Sequence, residues 1–384
     1  MKRGILFGFG SEIGCKLVEL SLNSKSIVID TVVNNSHGSN EDNLNSIKAK
    51  LIFSNPQLLS KVELDYENNF LLIDDKKIKC IFLNIKEFLS SSENISKKYD
   101  FGILATNKND IANSDLINQL LYSCKKLFGV AESKNHNSIY FPLIDLKSKR
   151  LNFKLFDNSK FDYFALGSCQ SIGWTSTLSL IVNWLDKVDI NQQLKIISSQ
   201  VDIVHPDTPQ GRFGTKSFMP REQDARNNFR PSFSQVKISM SRAIPEAVNF
   251  SPISLRTCIE PPGFQISRFL IELSDNEFQK ENFNFQSLNS YIKEYSSNNP
   301  EILNFSDESY GSKAFSHLKT SSTILSSKDY LSFEKIIDKN NYSVYQIITQ
   351  SYVHNTLGYS NSIIRSIEKA LSADSKTLCF FENK

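Results

Sequence analysis

A few short segments carry the residue types that do chemistry. Gly167-Ser168-Cys169-Gln170-Ser171 sets a thiol at the head of a helix. There the positive end of the helix dipole would lower its pKa and make a usable nucleophile; the ordinary alternative is a small buried thiol. Val204-His205-Pro206-Asp207-Thr208-Pro209-Gln210 closes a strand. An imidazole so placed could polarise a thiol and relay its proton, or could simply be satisfied by its neighbours. Gly8-Phe9-Gly10-Ser11-Glu12-Ile13-Gly14 joins the first strand to a helix. Glycines there let the backbone approach a pyrophosphate while the helix N-terminus donates amides; an ordinary tight turn has the same composition. The spacing is GxGxxxG, so Ile13 stands where a third glycine is expected, or one residue has been inserted. Tyr352-Val353-His354-Asn355-Thr356-Leu357-Gly358-Tyr359-Ser360-Asn361 is an aromatic, amide-rich turn into the last helix, with Ser360 as the expected cap.

Many dinucleotide folds end their second strand with a carboxylate that holds the adenosine ribose. Here that point is Asn34-Asn35-Ser36, and Asp30 falls too early, inside the strand. Without a carboxylate to repel a 2′-phosphate, NAD and NADP remain equally open.

The elements that must position these groups follow from periodicity. Lys2 to Phe9 reads as a strand, Ser11 to Leu22 as a helix with Ile13, Leu17, Val18 and Leu20 on one side, and Ile27 to Val33 as a buried strand. This opens a doubly wound α/β unit. Short strands fall at 61–64, 70–73 and 79–82, punctuated by Asn68-Asn69 and Asp74-Asp75. A strand at 101–105, a helix from about Asp110 to Phe128 and a strand from Asn137 to Leu143 follow. Cys169 begins a helix to about Leu185. Strands are expected at 194–203, 253–260 and 264–273, a Pro-, Gly- and Arg-rich loop at 206–235, and a final helix at about Ser360 to Leu371.

The bulk numbers exclude several classes. The 384 residues suffice for two domains at roughly 100–200 residues each. A net charge of +3, from 44 basic and 41 acidic residues, predicts neither a nucleic-acid nor a membrane-surface partner. No apolar run reaches the roughly 18 residues of a membrane span. The apolar start resembling a leader ends at Ser11-Glu12, so a cytoplasmic protein is expected. The six cysteines are scattered without a CxxC pair, which predicts neither a metal site nor a disulfide framework.

Taken in order, these segments resemble the phosphorylating glyceraldehyde-3-phosphate dehydrogenases across nearly the whole chain. Ser168-Cys169, His205-x-x-Thr208 and Asn355-x-x-Gly358-Tyr359-Ser360-Asn361 carry the likeness. Arg242-Ala243-Ile244-Pro245-Glu246, Leu255-Arg256-Thr257-Cys258 and the strand pairs at 61–85 add to it. The resemblance implies a Rossmann-type NAD(P)-binding domain over 1–167, completed by a C-terminal helix within 354–384. It also implies an α+β catalytic domain with a mostly antiparallel sheet over 168–353. Cys169 would attack an aldehyde, and His205 would activate the thiol and take the proton as hydride leaves. The cofactor, NAD or NADP, would meet Gly8, Phe9, Gly10, Ser11, Ile13, Asn35 and Thr106. Asn355 would bond the nicotinamide carboxamide, with Tyr359 as support. The aldehyde or acyl substrate would meet Ser168, Gln170, Thr208, Arg221 or Arg226, and Ser234. A homo-oligomer, dimer or tetramer, is implied as well.

The departures are local. Gln170 stands where the family has a hydroxyl residue, and Ser232-Phe233-Ser234-Gln235 stands for its Ser-Thr-Gly. The stretch from Cys169 to His205 is also longer. Two changes at one subsite point to another acyl acceptor or substrate. An acyl reductase working in reverse and a non-catalytic nucleotide-binding scaffold are the alternatives.

Overall fold

The computed structural model describes residues 1–384 apart from 97–98, 134, 145, 147–153, 157–160, 189–193, 207–228, 233, 235, 237–248, 258, 260, 275–281, 373–377 and 382–384. At 96, 154–156, 229–230, 274 and 378–381 only the backbone is described.

The chain opens as its periodicity predicts. Strand β1 (Lys2–Phe7) leads into helix α1 (Glu12–Leu22) and strand β2 (Ile27–Asn34), which pairs parallel to β1. Leu17, Val18 and Leu20 are buried, whereas Ile13 is only partly so. Helix α2 (Asn40–Ser54) has no strong apolar stripe, and periodicity misses it; a reciprocal Ser39–Asp42 cap starts it, and Leu44, Ile47 and Leu51 anchor it. Strands β3 (Val62–Asp65), β4 (Phe70–Ile73) and β5 (Lys76–Phe82) form the expected meander. Its turn residues Asn69 and Asp74 take φ of 58° and 51°, a left-handed region that asparagine and aspartate tolerate better than most residues.

After α3 (Ile85–Ser90) and α4 (Ser92–Ser96), β6 (Phe101–Leu104) pairs parallel with β1 on the side away from β2. The single helix expected over 110–128 is instead α5 (Lys108–Ile111), α6 (Ser114–Leu120) and β7 (Leu127–Gly129). Asn107 and Asn113 each accept two backbone N–H bonds and so start separate helices. Phe128 belongs to the sheet core, 5.8 Å from Phe164. Likewise, the strand expected over 137–143 is confined to β8 (Ser138–Ile139). Phe141–Leu143 turns as a 3-10 helix, because Pro142 has no N–H for a ladder.

Strands β9 (Lys154–Phe156) and β10 (Tyr163–Ala165) precede α7 (Cys169–Val188). Strands β11 (Leu194–Pro206), β12 (Phe229–Ser232), β13 (Asn249–Thr257) and β14 (Gly263–Ser274) follow. Next come α8 (Phe285–Asn298), β15 (Leu303–Ser306), β16 (Ser322–Leu325), β17 (Ser332–Lys339), β18 (Tyr342–Val353), α9 (Leu357–Leu371) and β19 (Leu378–Phe381).

The result is an α/β protein with two mixed sheets. The first runs β3-β4-β5-β2-β1-β6-β7-β10-β8-β19-β9 and is parallel from β5 to β8. The second runs β12-β13-β11-β14-β18-β16-β15, with β17 on β18; its β11–β13 and β15–β16 pairs are parallel and the rest antiparallel. Helix α7 packs on the second sheet and is buried along nearly its whole length. Gly173 makes this possible, since a Cβ there would stand 2.5 Å from a Val353 methyl on β18. Trp174 and Trp184 are fully buried, and each satisfies its indole N–H on a serine hydroxyl, Ser199 and Ser287 respectively, at 3.2 Å. The last helix, α9, packs against α1, and β19 joins the first sheet beside β8. The chain's end thus returns to its beginning as a helix and also as a strand, which periodicity did not anticipate.

Candidate functional site

Cys169 heads α7 and His205 lies next to the last residue of β11. The two are 36 positions apart, and the fold sets Cys169 Sγ 3.3 Å from His205 Nε2. On the far side of the ring, His205 Nδ1 is 2.5 Å from the Pro206 carbonyl. Nδ1 thus faces an acceptor, the Pro206 carbonyl, and Arg256 Nη1, which only donates; with the hydrogen on Nδ1 toward the carbonyl, Nε2 is the bare nitrogen facing the sulfur. That is the tautomer a general base needs. Arg256, placed opposite His205 in the β11–β13 pairing, brings Nη1 to 3.1 Å from Nδ1. Its charge favours a thiolate on Cys169.

Asn355 completes the thiol's surroundings. Its Nδ2 donates to Cys169 Sγ at 3.4 Å and its Oδ1 accepts from Gly263 N at 2.6 Å. The amide expected to orient a nicotinamide is thus fixed by the protein itself, leaving one Nδ2 hydrogen for a ligand. Buried Tyr359 donates to the Gly167 carbonyl at 2.7 Å and pins the turn before Cys169. Gly167 has φ of +71°, and a Cβ there would stand 2.7 Å from the Tyr140 ring and from Ser171 Oγ.

The thiol's ionisation departs from the sequence expectation. Burial pushes Cys169 up from its ordinary value, while the Asn355 bond and the Arg256 charge pull it back only in part. Desolvation thus outweighs whatever the helix terminus contributes. Cap assignment is corrected too. Thr356 is the N-cap of α9, and Ser360 lies inside the first turn, its buried hydroxyl without a partner among the described residues.

Gln170 is buried and held by two serines. Its Nε2 donates to Ser254 Oγ at 3.2 Å and its Oε1 accepts from Ser234 Oγ at 3.1 Å, all three residues being buried. Ser232 Oγ donates to Ser254 Oγ at 2.9 Å. These side chains are neutral and hydrogen-bond to one another. Ser168 turns toward a carboxylate, donating to Glu132 Oε1 at 3.3 Å, and Tyr140 holds the other Glu132 oxygen at 2.9 Å. A side chain so engaged is poorly disposed to hold a phosphate.

The second region is a cleft of about 580 Å³ at the carboxyl ends of β1, β2, β5 and β6. In open α/β sheets, ligands bind at this edge, where strand order reverses. Gly8 takes φ of +92°, and a Cβ on it would stand 2.6 Å from Ala105 O. Gly14 settles the spacing question: a Cβ there would stand 2.4 Å from Gly8 O, so Gly14 is the glycine that lets α1 pack on the loop. Ser11 caps α1, its Oγ accepting from Gly14 N and donating to Gly8 O, both at 2.9 Å. Thr106 lines the cleft, its Oγ1 buried and without a partner among the described residues. A cleft lined by Gly8, the amides of Asn34, Asn35, Asn84 and Asn107 and an unmatched hydroxyl fits the polar groups of a ligand such as a ribose.

Not every expected contact lies on this cleft. Phe9 is fully buried in the core and Ile13 packs against it, so each could offer only backbone. Asn35 lines the cleft, but Asn34 is the residue locked over the loop, accepting from Gly10 N at 3.1 Å. Lys50, which the sequence reading missed, donates to Gly10 O at 2.9 Å from α2. Arg256 was also missed as a site residue, although the strand register that sets it opposite His205 leaves no trace in local spacing. Thr208, Arg221 and Arg226 lie outside the described residues. Among the described residues, no group of His, Cys, Asp and Glu is arranged to hold a metal ion. No described helix is long and apolar enough to cross a membrane.

The two regions are joined. Thr356, the residue after Asn355, donates to Glu12 Oε1 at 2.9 Å, and Glu12 is the first residue of α1 after the glycine loop. The chain matches no protein-family model and no curated protein.

Proposed function

We propose that the protein is an NAD(P)-dependent oxidoreductase that oxidises an aldehyde through a thiohemiacetal and a thioester on Cys169, in the manner of the glyceraldehyde-3-phosphate dehydrogenases. The observation that carries this reading is the 3.3 Å separation of Cys169 Sγ and His205 Nε2. The cleft with Gly8, Asn34 and Thr106, and the tie from Asn355 through Thr356 to Glu12, support a dinucleotide site in a Rossmann-type domain.

His205 Nε2 takes the thiol proton, and the sulfur forms a bond to the aldehyde carbon. The proton passes on to the carbonyl oxygen, giving a hemithioacetal hydroxyl on Cys169. A bound nicotinamide supplies the hydride acceptor. His205 Nε2 removes the hydroxyl proton as hydride leaves, which yields the thioester. Arg256 favours the thiolate and offers charge to an anionic substrate. Gln170, engaged by Ser254 and Ser234, is not turned to an incoming phosphate, which favours release of the thioester to water, or the reverse, reducing direction, over capture by inorganic phosphate.

The substrate class is a small aldehyde or acyl derivative, phosphorylated or related; a homo-oligomeric, cytoplasmic enzyme belongs to the same reading. Incubating the purified protein with a panel of short aldehydes and either dinucleotide tests it. Aldehyde-dependent appearance of reduced nicotinamide, lost in Cys169→Ser, is the expected result. Absence of turnover with every aldehyde, together with equal iodoacetamide labelling of Cys169 and the buried Cys80, would favour a non-catalytic scaffold.

A further inference from the structure

Resting on the dinucleotide site just proposed, we infer that Asn34 and Lys50 select a dinucleotide phosphorylated on the adenosine ribose, NADP(H), over NAD(H). The argument is one of donors and acceptors. A free ribose diol is gripped by a group that accepts from two hydroxyls, usually a carboxylate at the end of the second strand. A phosphate monoester presents only acceptors at neutral pH and is gripped by donors and positive charge.

The end of β2 supplies donors. Asn34 Oδ1 is taken by Gly10 N at 3.1 Å, so the acceptor half of the amide faces the loop. Its Nδ2 has no partner among the described residues and is the half left to a ligand. Lys50 reaches the same glycine from α2, with Nζ 2.9 Å from Gly10 O. It forms no ion pair among the described residues, and two of its three hydrogens are uncommitted. Both groups converge on Gly10: a Cβ there would stand 3.0 Å from Asn34 Oδ1 and 3.2 Å from Lys50 Nζ.

The nearby carboxylates are engaged elsewhere. Asp30 pairs with Arg3, four residues back along β2 and therefore roughly 13 Å away. Asp42 accepts from the Ser39 hydroxyl at 2.6 Å and the Ser39 amide at 3.2 Å. Asp110, which lines the opposite side of the cleft, is held by Asn107 Nδ2 at 2.8 Å. The unmatched Thr106 hydroxyl in the same cleft is the independent sign that a polar ligand belongs there.

Calorimetric titration of the full chain with NADP+ and, separately, NAD+ tests the inference. NADP+ should bind at least about tenfold tighter, the scale of one charge-assisted hydrogen bond. Lys50→Ala should lower the NADP+ to NAD+ affinity ratio by about tenfold, and Asn34→Asp should lower it further by restoring a carboxylate. Lys50 is exposed, so its variant should fold even if Asn34→Asp does not. Equal or tighter NAD+ binding, or an unchanged ratio in Lys50→Ala, overturns this inference and leaves the dinucleotide site standing. Binding of neither cofactor overturns both.

Discussion

The hydroxyl of Thr356 donates to the Glu12 carboxylate at 2.9 Å, which fastens the cap of the last helix to the first turn of the first. Ser24, just after the first helix, donates to Glu368 of the last and makes a second tie. Asn355, which holds the Cys169 sulfur, is the neighbour of Thr356. The thiol therefore takes its position relative to the glycine loop from a contact between the two ends of the chain.

Replacing Thr356 by valine keeps the shape and removes the donor. We expect a stability loss of about 0.5–1.5 kcal/mol in urea unfolding. Turnover should fall more than stability does, because Asn355 loses its anchored neighbour, and Thr356→Ser should restore both. Unchanged turnover in the valine variant would uncouple the helix contact from the thiol.

Alkylation of Cys169 should follow its raised pKa. Its rate with iodoacetamide should keep climbing as pH rises through 9.0, where an ordinary thiol begins to level. Arg256→Gln removes a charge that favours the thiolate and should slow the reaction at any given pH. His205→Asn should cost roughly a hundredfold in turnover at neutral pH, the lower range for a general base. A His205→Asn enzyme with full turnover would remove the proposed mechanism.

At Gly14 the side chain is excluded by backbone. An alanine Cβ would lie 2.4 Å from Gly8 O, and neither α1 nor the loop can yield without the other. Gly14→Ala should lower stability by about 1–3 kcal/mol, as overpacking does, and abolish binding of either dinucleotide. Gly311→Ala, with nothing within 4 Å of the added carbon, is the control and should be near neutral. Calorimetric melting with and without dinucleotide reads both.

Stability should decline on both sides of neutrality. Burial lowers His354 to about 4, while its Nε2 meets Thr323 Oγ1 at 2.9 Å. The unfolded chain binds this proton from near 6.5 downward and the native state does not, so stability is lost as pH falls from there toward 4. His354→Gln should flatten that slope. On the alkaline side, burial raises Cys15 to about 11 and Cys80 and Cys124 to about 12. Unfolded thiols ionise from about 9.0, so stability present below that value drains away through these higher values. Urea midpoints across the two windows check the signs, and a flat acid limb in the parent would remove the His354 assignment.

The sequence by itself determined the elements whose signals are local. The strand–glycine–helix–strand opening, the meander with Asn69 and Asp74 at its turns, and the helix begun by Cys169 are set by side-chain period and turn chemistry within a few residues of each other. It also marked Cys169, His205 and Asn355, because their residue types are informative before any neighbour is known. Tertiary structure decided what those residues touch. That Arg256 stands against His205, that Gln170 is closed off by Ser254 and Ser234, and that Asn34 and Lys50 meet over Gly10 all follow from strand register and helix packing between segments 24 to 84 positions apart. The thiol's pKa also had to wait for the fold. A helix terminus acts locally and predicts a fall, whereas desolvation is summed over every element packed around the sulfur and produces a rise.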